Sequence, residues 1–98
     1  MEKTITDSLV STLENLRENE LKKFKLKLHE FPVKKGYDNI PRGTLEKADV
    51  VDLSLLLLNF YTRDYAVQVT AEVLRTINCR DEAERLLGHC RKGTNHTF

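Results

Sequence analysis

The sequence predicts an all-α fold, a bundle of short helices making one small domain. Strict alternation of apolar and polar residues, the mark of a half-buried strand, is nearly absent, while apolar residues recur at spacings of three and four. Helix caps and breakers punctuate those stripes. The chain has 98 residues, of which 40% are hydrophobic and 32% charged, enough for one buried core and too few for two.

The first helix is expected from about Ile5 to Arg17, because Ile5, Leu9, Leu13 and Leu16 form one stripe. Thr4 followed by Asp7 resembles a capping box at its start. Asn19 is a good N-cap for a second helix, Glu20 to about Glu30. On a wheel turning about 100° per residue, Phe24, Leu28 and Phe31 fall within about 80° of Leu21 and form a core stripe. Lys22, Lys23 and Lys27 lie elsewhere, and Leu26, about 140° from Leu21, sits among them. A solvated lysine face is ordinary; a leucine set inside it is not.

Pro32 ends that helix, since the residue before a proline avoids the α region. A loop marked by Gly36, Pro41 and Gly43 follows, long for so small a domain. Thr44 is expected to cap one short turn, Leu45 to Lys47, and Asp49 to cap a fourth helix reaching about Tyr61. The fourth helix is apolar almost all round. Leu53, Leu57 and Phe60 share one side, Val51, Leu55 and Leu58 the other, and Asp52 and Asn59 mark a polar edge. Such a helix is sandwiched between neighbours or keeps apolar groups for a partner. Thr62 is expected to cap a fifth helix, Arg63 to Ile77, with Ala66, Val69, Val73 and Ile77 in register and Asn78 as a left-handed terminator. A sixth helix, Asp81 to Cys90, buries Ala83, Leu86, Leu87 and Cys90, and Gly93 onward reads as a frayed tail.

Sixteen Lys and Arg stand against fifteen Asp and Glu, for a net charge of +1, which excludes a strongly basic or acidic chain. The near-neutral total hides a segregation: residues 1–19 and 48–65 are net acidic, and residues 20–47 are net basic. The longest apolar run is the four leucines from Leu55 to Leu58, far short of the roughly 20 residues that span a bilayer. Asp7, Ser8, Ser11 and Thr12 interrupt what would be the apolar stretch of a signal peptide. Cys79 and Cys90 make no disulfide framework and no CxxC pair, so free thiols in a reducing, cytoplasmic compartment are expected.

No catalytic constellation is visible. His29, His89 and His96 have no metal-ligand spacing, and no glycine-rich loop precedes a helix in phosphate-binding form. No enzyme activity, cofactor or metal is therefore expected. Two binding classes remain. Lys22, Lys23, Lys25 and Lys27 could neutralise the phosphates of a nucleic acid, but aromatics for stacking and Asn, Gln or Arg for base reading are missing beside them. The other class is protein association. A basic, leucine-bearing face and an acidic, leucine-rich face are complementary, and a contact between unlike faces need not close, so open filaments follow.

The residues resemble the pyrin domains of the death-fold superfamily. Leu13-Glu14-Asn15-Leu16 and Glu20-Leu21-Lys22-Lys23-Phe24-Lys25-Leu26-Lys27-Leu28 are similar to the family's first two helices. Gly36-Tyr37, Ile40-Pro41-Arg42-Gly43 and Leu45 are similar to its long second loop and short third helix. Asp49, Asp52-Leu53 and Phe60-Tyr61 fit its fourth helix, and Val73-Leu74-Arg75 its fifth. The resemblance covers about residues 3–91 and leaves 92–98 as a flexible tail. The first half looks most like inflammasome adaptors, and the second also resembles fish NLR sensors and inflammatory caspases.

That resemblance implies a six-helix antiparallel bundle, the death-fold Greek key with a short third helix after a long loop. It implies homotypic pyrin–pyrin association in inflammasome assembly, into filaments or with an adaptor, and a pyrin-only regulator that caps filaments is the alternative. It places Asp7, Glu14, Asp49 and Asp52 on an acidic interaction face. It places Lys22, Lys23, Lys27 and Arg42, with Leu26 and Pro41 beside them, on a basic one. At Leu55 and Leu56 this sequence departs from the adaptor pattern, which carries charge there, so its acidic patch is expected to be smaller and stickier.

Overall fold

A computed structural model describes residues 5–91, with side chains through Gly88. Six helices follow one another: α1 (Ile5–Glu14), α2 (Glu18–Glu30), α3 (Arg42–Lys47), α4 (Val50–Phe60), α5 (Arg63–Thr76) and α6 (Arg80–Arg91). Among the described residues there is no strand. The expected Thr4 cap, the burial of Cys90, the side chains of His89 and His96 and the tail lie outside the described residues.

Three of the expected caps are present in atomic detail. Asp49 Oδ1 accepts the Asp52 N–H at 2.8 Å, and Thr62 Oγ1 accepts the Tyr65 N–H at 3.2 Å. After α5, Asn78 takes a left-handed φ of 67°. Its N–H then donates to Arg75 O at 3.2 Å and the Cys79 N–H to Leu74 O at 2.8 Å, the paired bonds of a Schellman cap.

Three boundaries differ from expectation. α1 stops at Glu14 rather than near Arg17, although Leu16 still reaches the core through the turn that follows. α2 begins at Glu18, with Arg17 rather than Asn19 in the N-cap position, because the Glu20 carboxylate turns back to accept the Arg17 N–H at 2.8 Å. α3 begins at Arg42, earlier than a Thr44 cap allows. Pro41 occupies its N-cap position with an extended ψ of 140°, and its carbonyl accepts the Leu45 N–H at 3.1 Å.

α5 is the hub. It packs on α1, α2, α4 and α6, and buries Tyr65, Ala66, Val67, Val69, Thr70, Ala71, Val73 and Leu74. α1 packs on α4 and α6, and α2 on α3. Leu9, Leu13, Phe24, Leu28, Leu53, Leu57 and Leu86 are fully buried, each worth about 1.5–3 kcal/mol of transfer from water. Leu21, Phe31, Phe60, Ile77 and Leu87, expected in the core, are half-buried against it. Leu58, expected on the outer side of α4, also packs against the core.

The long loop between α2 and α3 is tied down along its length. Tyr37 stacks on Tyr65 with ring centroids 4.4 Å apart and meets Tyr61 edge-on at 5.6 Å. Tyr65 Oη accepts the Lys34 N–H at 2.8 Å, and Tyr61 Oη donates to Asp38 O at 3.1 Å. His29 Nδ1 lies 3.0 Å from Ile40 O, and the Ile40 side chain is fully buried. These ties lead the chain into α3, which packs on α2.

Candidate protein-interaction surfaces

α2 turns Phe24 and Leu28 inward and leaves Lys22, Lys23 and Lys27 exposed. Leu26 is 42% exposed, as the wheel requires. Since α2 packs on α3, Lys22, Lys25, Leu26, Arg42, Leu45 and Glu46 line one open recess of about 380 Å³. Of the expected basic residues, Lys22, Leu26 and Arg42 are thus brought together. Lys23, Lys27 and Pro41 are exposed outside the recess. Lys23 instead lies close enough to Cys79 to influence its thiol.

Arg42 Nε pairs with Glu46 Oε2 at 3.1 Å, and both side chains are mostly exposed. An i,i+4 pair of this kind contributes about 0.3–0.5 kcal/mol, so Glu46 holds Arg42 only weakly. Lys25, absent from the expected face, holds the fold together: its Nζ donates to Ala48 O at 2.6 Å and ties α2 to the end of α3. Its wheel position, about 40° from Leu21, was the available sign that it differs from its neighbours.

The acidic residues sit on the other pair of helices. Asp49 and Asp52 are exposed at the start of α4, where the helix dipole favours negative charge. Asp7 and Glu14 are exposed on α1, which packs on α4. Asp52 lines a second recess of about 330 Å³ between α3 and α4, with Thr44, Lys47, Leu55, Leu56 and Asn59. The α4 face expected to be left over is smaller than its sequence suggests: Val51 is 50% and Leu55 46% exposed, whereas Leu56 and Leu58 are half-buried.

Cys79 is a packed thiol. It is buried, its Sγ lies 3.9 Å from Ile77 O, and burial, reinforced by Glu20 and Glu82, pushes its pKa up. A raised pKa keeps it protonated and unreactive at neutral pH. Among the described residues, no helix is long and apolar enough to cross a membrane.

A small helical bundle with oppositely charged helix pairs, each bearing exposed aliphatic groups, is of the protein-association class. The family model described as PAAD/DAPIN/Pyrin domain matches residues 8–84, and the chain belongs to the pyrin domain family. It is 45% identical over 92 residues to the bovine apoptosis-associated speck-like protein containing a CARD, covering 94% of this chain and 47% of that protein. It is 43% identical over 83 residues to human pyrin domain-containing protein 1, covering 85% of this chain and 93% of that one. The chain thus spans about half of the first relative and nearly all of the second. The solution structure of the pyrin domain of human Pyrin superposes with a TM-score of 0.85 at 42% identity, covering 91% of this chain and 99% of that chain. The six helices are therefore the death-fold bundle, a homotypic interaction module of inflammasome signalling.

Proposed function

We propose that this domain assembles head to tail with other pyrin domains, second copies of itself or those of an inflammasome adaptor or sensor. It thereby seeds filaments in cytoplasmic innate immune and apoptotic signalling. The basic face (Lys22, Lys23, Leu26, Lys27, Pro41, Arg42) of one domain meets the acidic face (Asp7, Glu14, Asp49, Asp52) of the next. The observation that carries this reading is the separation of the two charges onto different helix pairs, α2 with α3 and α1 with α4.

A contact between unlike faces uses one of each per domain and leaves one of each at the ends of the chain, so growth continues. Opposite charge steers the encounter and disfavours wrong registers, within a screening length of about 8 Å at physiological salt. Repetition along a filament multiplies the effect of each contact.

Sedimentation of charge-reversal variants tests the reading. Lys22→Glu and Asp49→Lys are each expected to abolish self-assembly while the fold remains. Mixed, they regain pairing through the intact acidic face of the first and the intact basic face of the second. Assembly that survives both reversals overturns the two-face contact. A short DNA duplex that co-sediments with the wild-type domain, and is released by Lys22→Glu, shows nucleic-acid binding through α2 instead. A domain that stays monomeric but shortens another pyrin domain's filaments acts as a cap.

A further inference from the structure

We infer that assembly is anchored by an aliphatic contact between Leu26 of one copy and the Val51–Leu55 ridge of the next, so that the occupant of the outer face of α4 is a second copy of this chain. The inference rests on the head-to-tail reading above and adds to it what fills the centre of the contact.

Among the described residues, the exposed large hydrophobic side chains are Leu26, Val51 and Leu55. One lies on the basic face and two on the acidic face. Val51 and Leu55 are four residues apart on α4 and therefore stand one above the other on the same side of the helix. Asp52 and Asn59, both exposed, flank that ridge. Leu26 in turn lies in a recess whose walls include Lys22, Lys25 and Arg42. A leucine beside the Lys22 and Arg42 cations thus matches an aliphatic ridge flanked by the Asp52 carboxylate.

Lys47 on the α3 wall, across from Asp52 and Leu55, repels an incoming cation and directs it toward Asp49 and Asp52, which sets the register. A partner offering charge alone would leave Val51 and Leu55 facing a polar group. A second copy offers Leu26 at the centre of its own basic face. In such contacts a few buried side chains dominate and the surrounding polar groups exclude water.

The consequence is a contact that outlasts its electrostatics. Charge pairs weaken at about 1 M salt, where the screening length falls to about 3 Å, and apolar burial does not. The test measures the critical concentration for assembly of the wild type, Leu26→Ala, Leu55→Ala and the double variant, at about 0.15 M and about 1 M salt. Each single variant is expected to melt with the wild type and to raise the critical concentration about tenfold. The double variant is expected to be little worse than either single one, because the two side chains share one contact. Wild-type assembly is expected to persist in part at high salt, and Leu55→Ala assembly to vanish there.

Additive effects in the double variant, or Leu55→Ala assembling like the wild type, overturn the anchor. Should Leu55→Ala melt early, Leu55→Gln, which preserves bulk and helix propensity, is read in its place. If Lys22→Glu abolishes assembly and the leucine variants do not, the charged contact stands and the anchor falls. If Lys22→Glu assembles normally, the head-to-tail reading itself fails. A Leu55→Ala domain that still self-assembles but no longer pairs with the pyrin domain of human Pyrin hands the α4 face to a different partner and also overturns the proposal.

Discussion

Asp49 Oδ1 accepts the backbone N–H of Asp52 at 2.8 Å, so two neighbouring carboxylates of the acidic face do different things. The first caps α4 and the second is exposed beyond it. Asp49→Ala is expected to lower stability by about 1 kcal/mol, a fall in melting temperature of about 4–8 °C for a domain of this size. Asp49→Asn retains a capping oxygen and is expected to melt near the wild type, and Asp52→Ala to stay within about 0.5 kcal/mol. Thermal melts of the three variants separate the cap from the charge. Loss of assembly in Asp49→Asn without a thermal shift then assigns the charge to the interface.

Phe24 and Leu21 are both on the inner side of α2, yet Phe24 is fully buried and Leu21 only half-buried. Phe24→Ala is expected to cost about 3–5 kcal/mol through lost transfer energy and a cavity. Leu21→Ala, at a site that can relax toward solvent, is expected to cost less than about 2 kcal/mol. Against a total of about 5–10 kcal/mol, denaturant titration should leave the first variant marginal and the second folded. Equal losses would show that the two positions share one buried layer.

Thr70 is fully buried on α5, and among the described residues its hydroxyl has no hydrogen-bond partner. The desolvation cost of that group is uncompensated. Thr70→Val substitutes a methyl of similar shape and is expected to raise stability by about 1 kcal/mol. For a domain of this length, that is a rise in melting temperature of about 4–8 °C. A fall on calorimetry would show that the hydroxyl is bonded in solution.

Burial, together with the neighbouring Tyr65 and Asp38, raises the pKa of Tyr61, and burial with Glu20 raises that of Cys79. In both, the folded chain holds the proton more tightly than the unfolded chain, whose values lie near 10.0 and 9.0. Their stabilisation is therefore complete below those values and is lost as pH rises from them through the higher values of the folded chain. The domain is expected to lose stability above about pH 9, first through Cys79 and then through Tyr61. Cys79→Ala should flatten the early part of that fall in melts across the alkaline range. A stability that rises with pH there would reverse the sign.

Much of the bundle is legible from local chemistry. Asp49, Thr62 and Asn78 are read correctly as terminators because a cap depends on a side chain and a backbone group a few residues away. The burial of Leu9 and Leu13 and the inward placement of Phe24 and Leu28 follow from helical period alone, whereas Leu16 reaches the core from the turn after α1. The same wheel puts Leu26 outside, where it is. Boundaries at Arg17 and Pro41 were not legible, since which of several competent residues caps a helix is decided by how the chain enters it. The aromatic cluster of Tyr37, Tyr61 and Tyr65 was missed because its members come from a loop and two helix ends, and no periodicity links them.

By itself the sequence determined the class of fold, the segregation of charge and the presence of leucines outside the core pattern, all properties of spacing along one chain. Only the tertiary structure decided which of these meet. α2 packing on α3 gathers Lys22, Leu26 and Arg42 around one recess and diverts Lys25 to the Ala48 carbonyl. The packing of α4 against α1 and α5 covers part of Leu56 and Leu58 and leaves Val51 and Leu55 in the open. A helix that is apolar all round contains no record of which side its neighbours occupy. That is set by the best burial of the whole core, a sum over contacts distant in sequence.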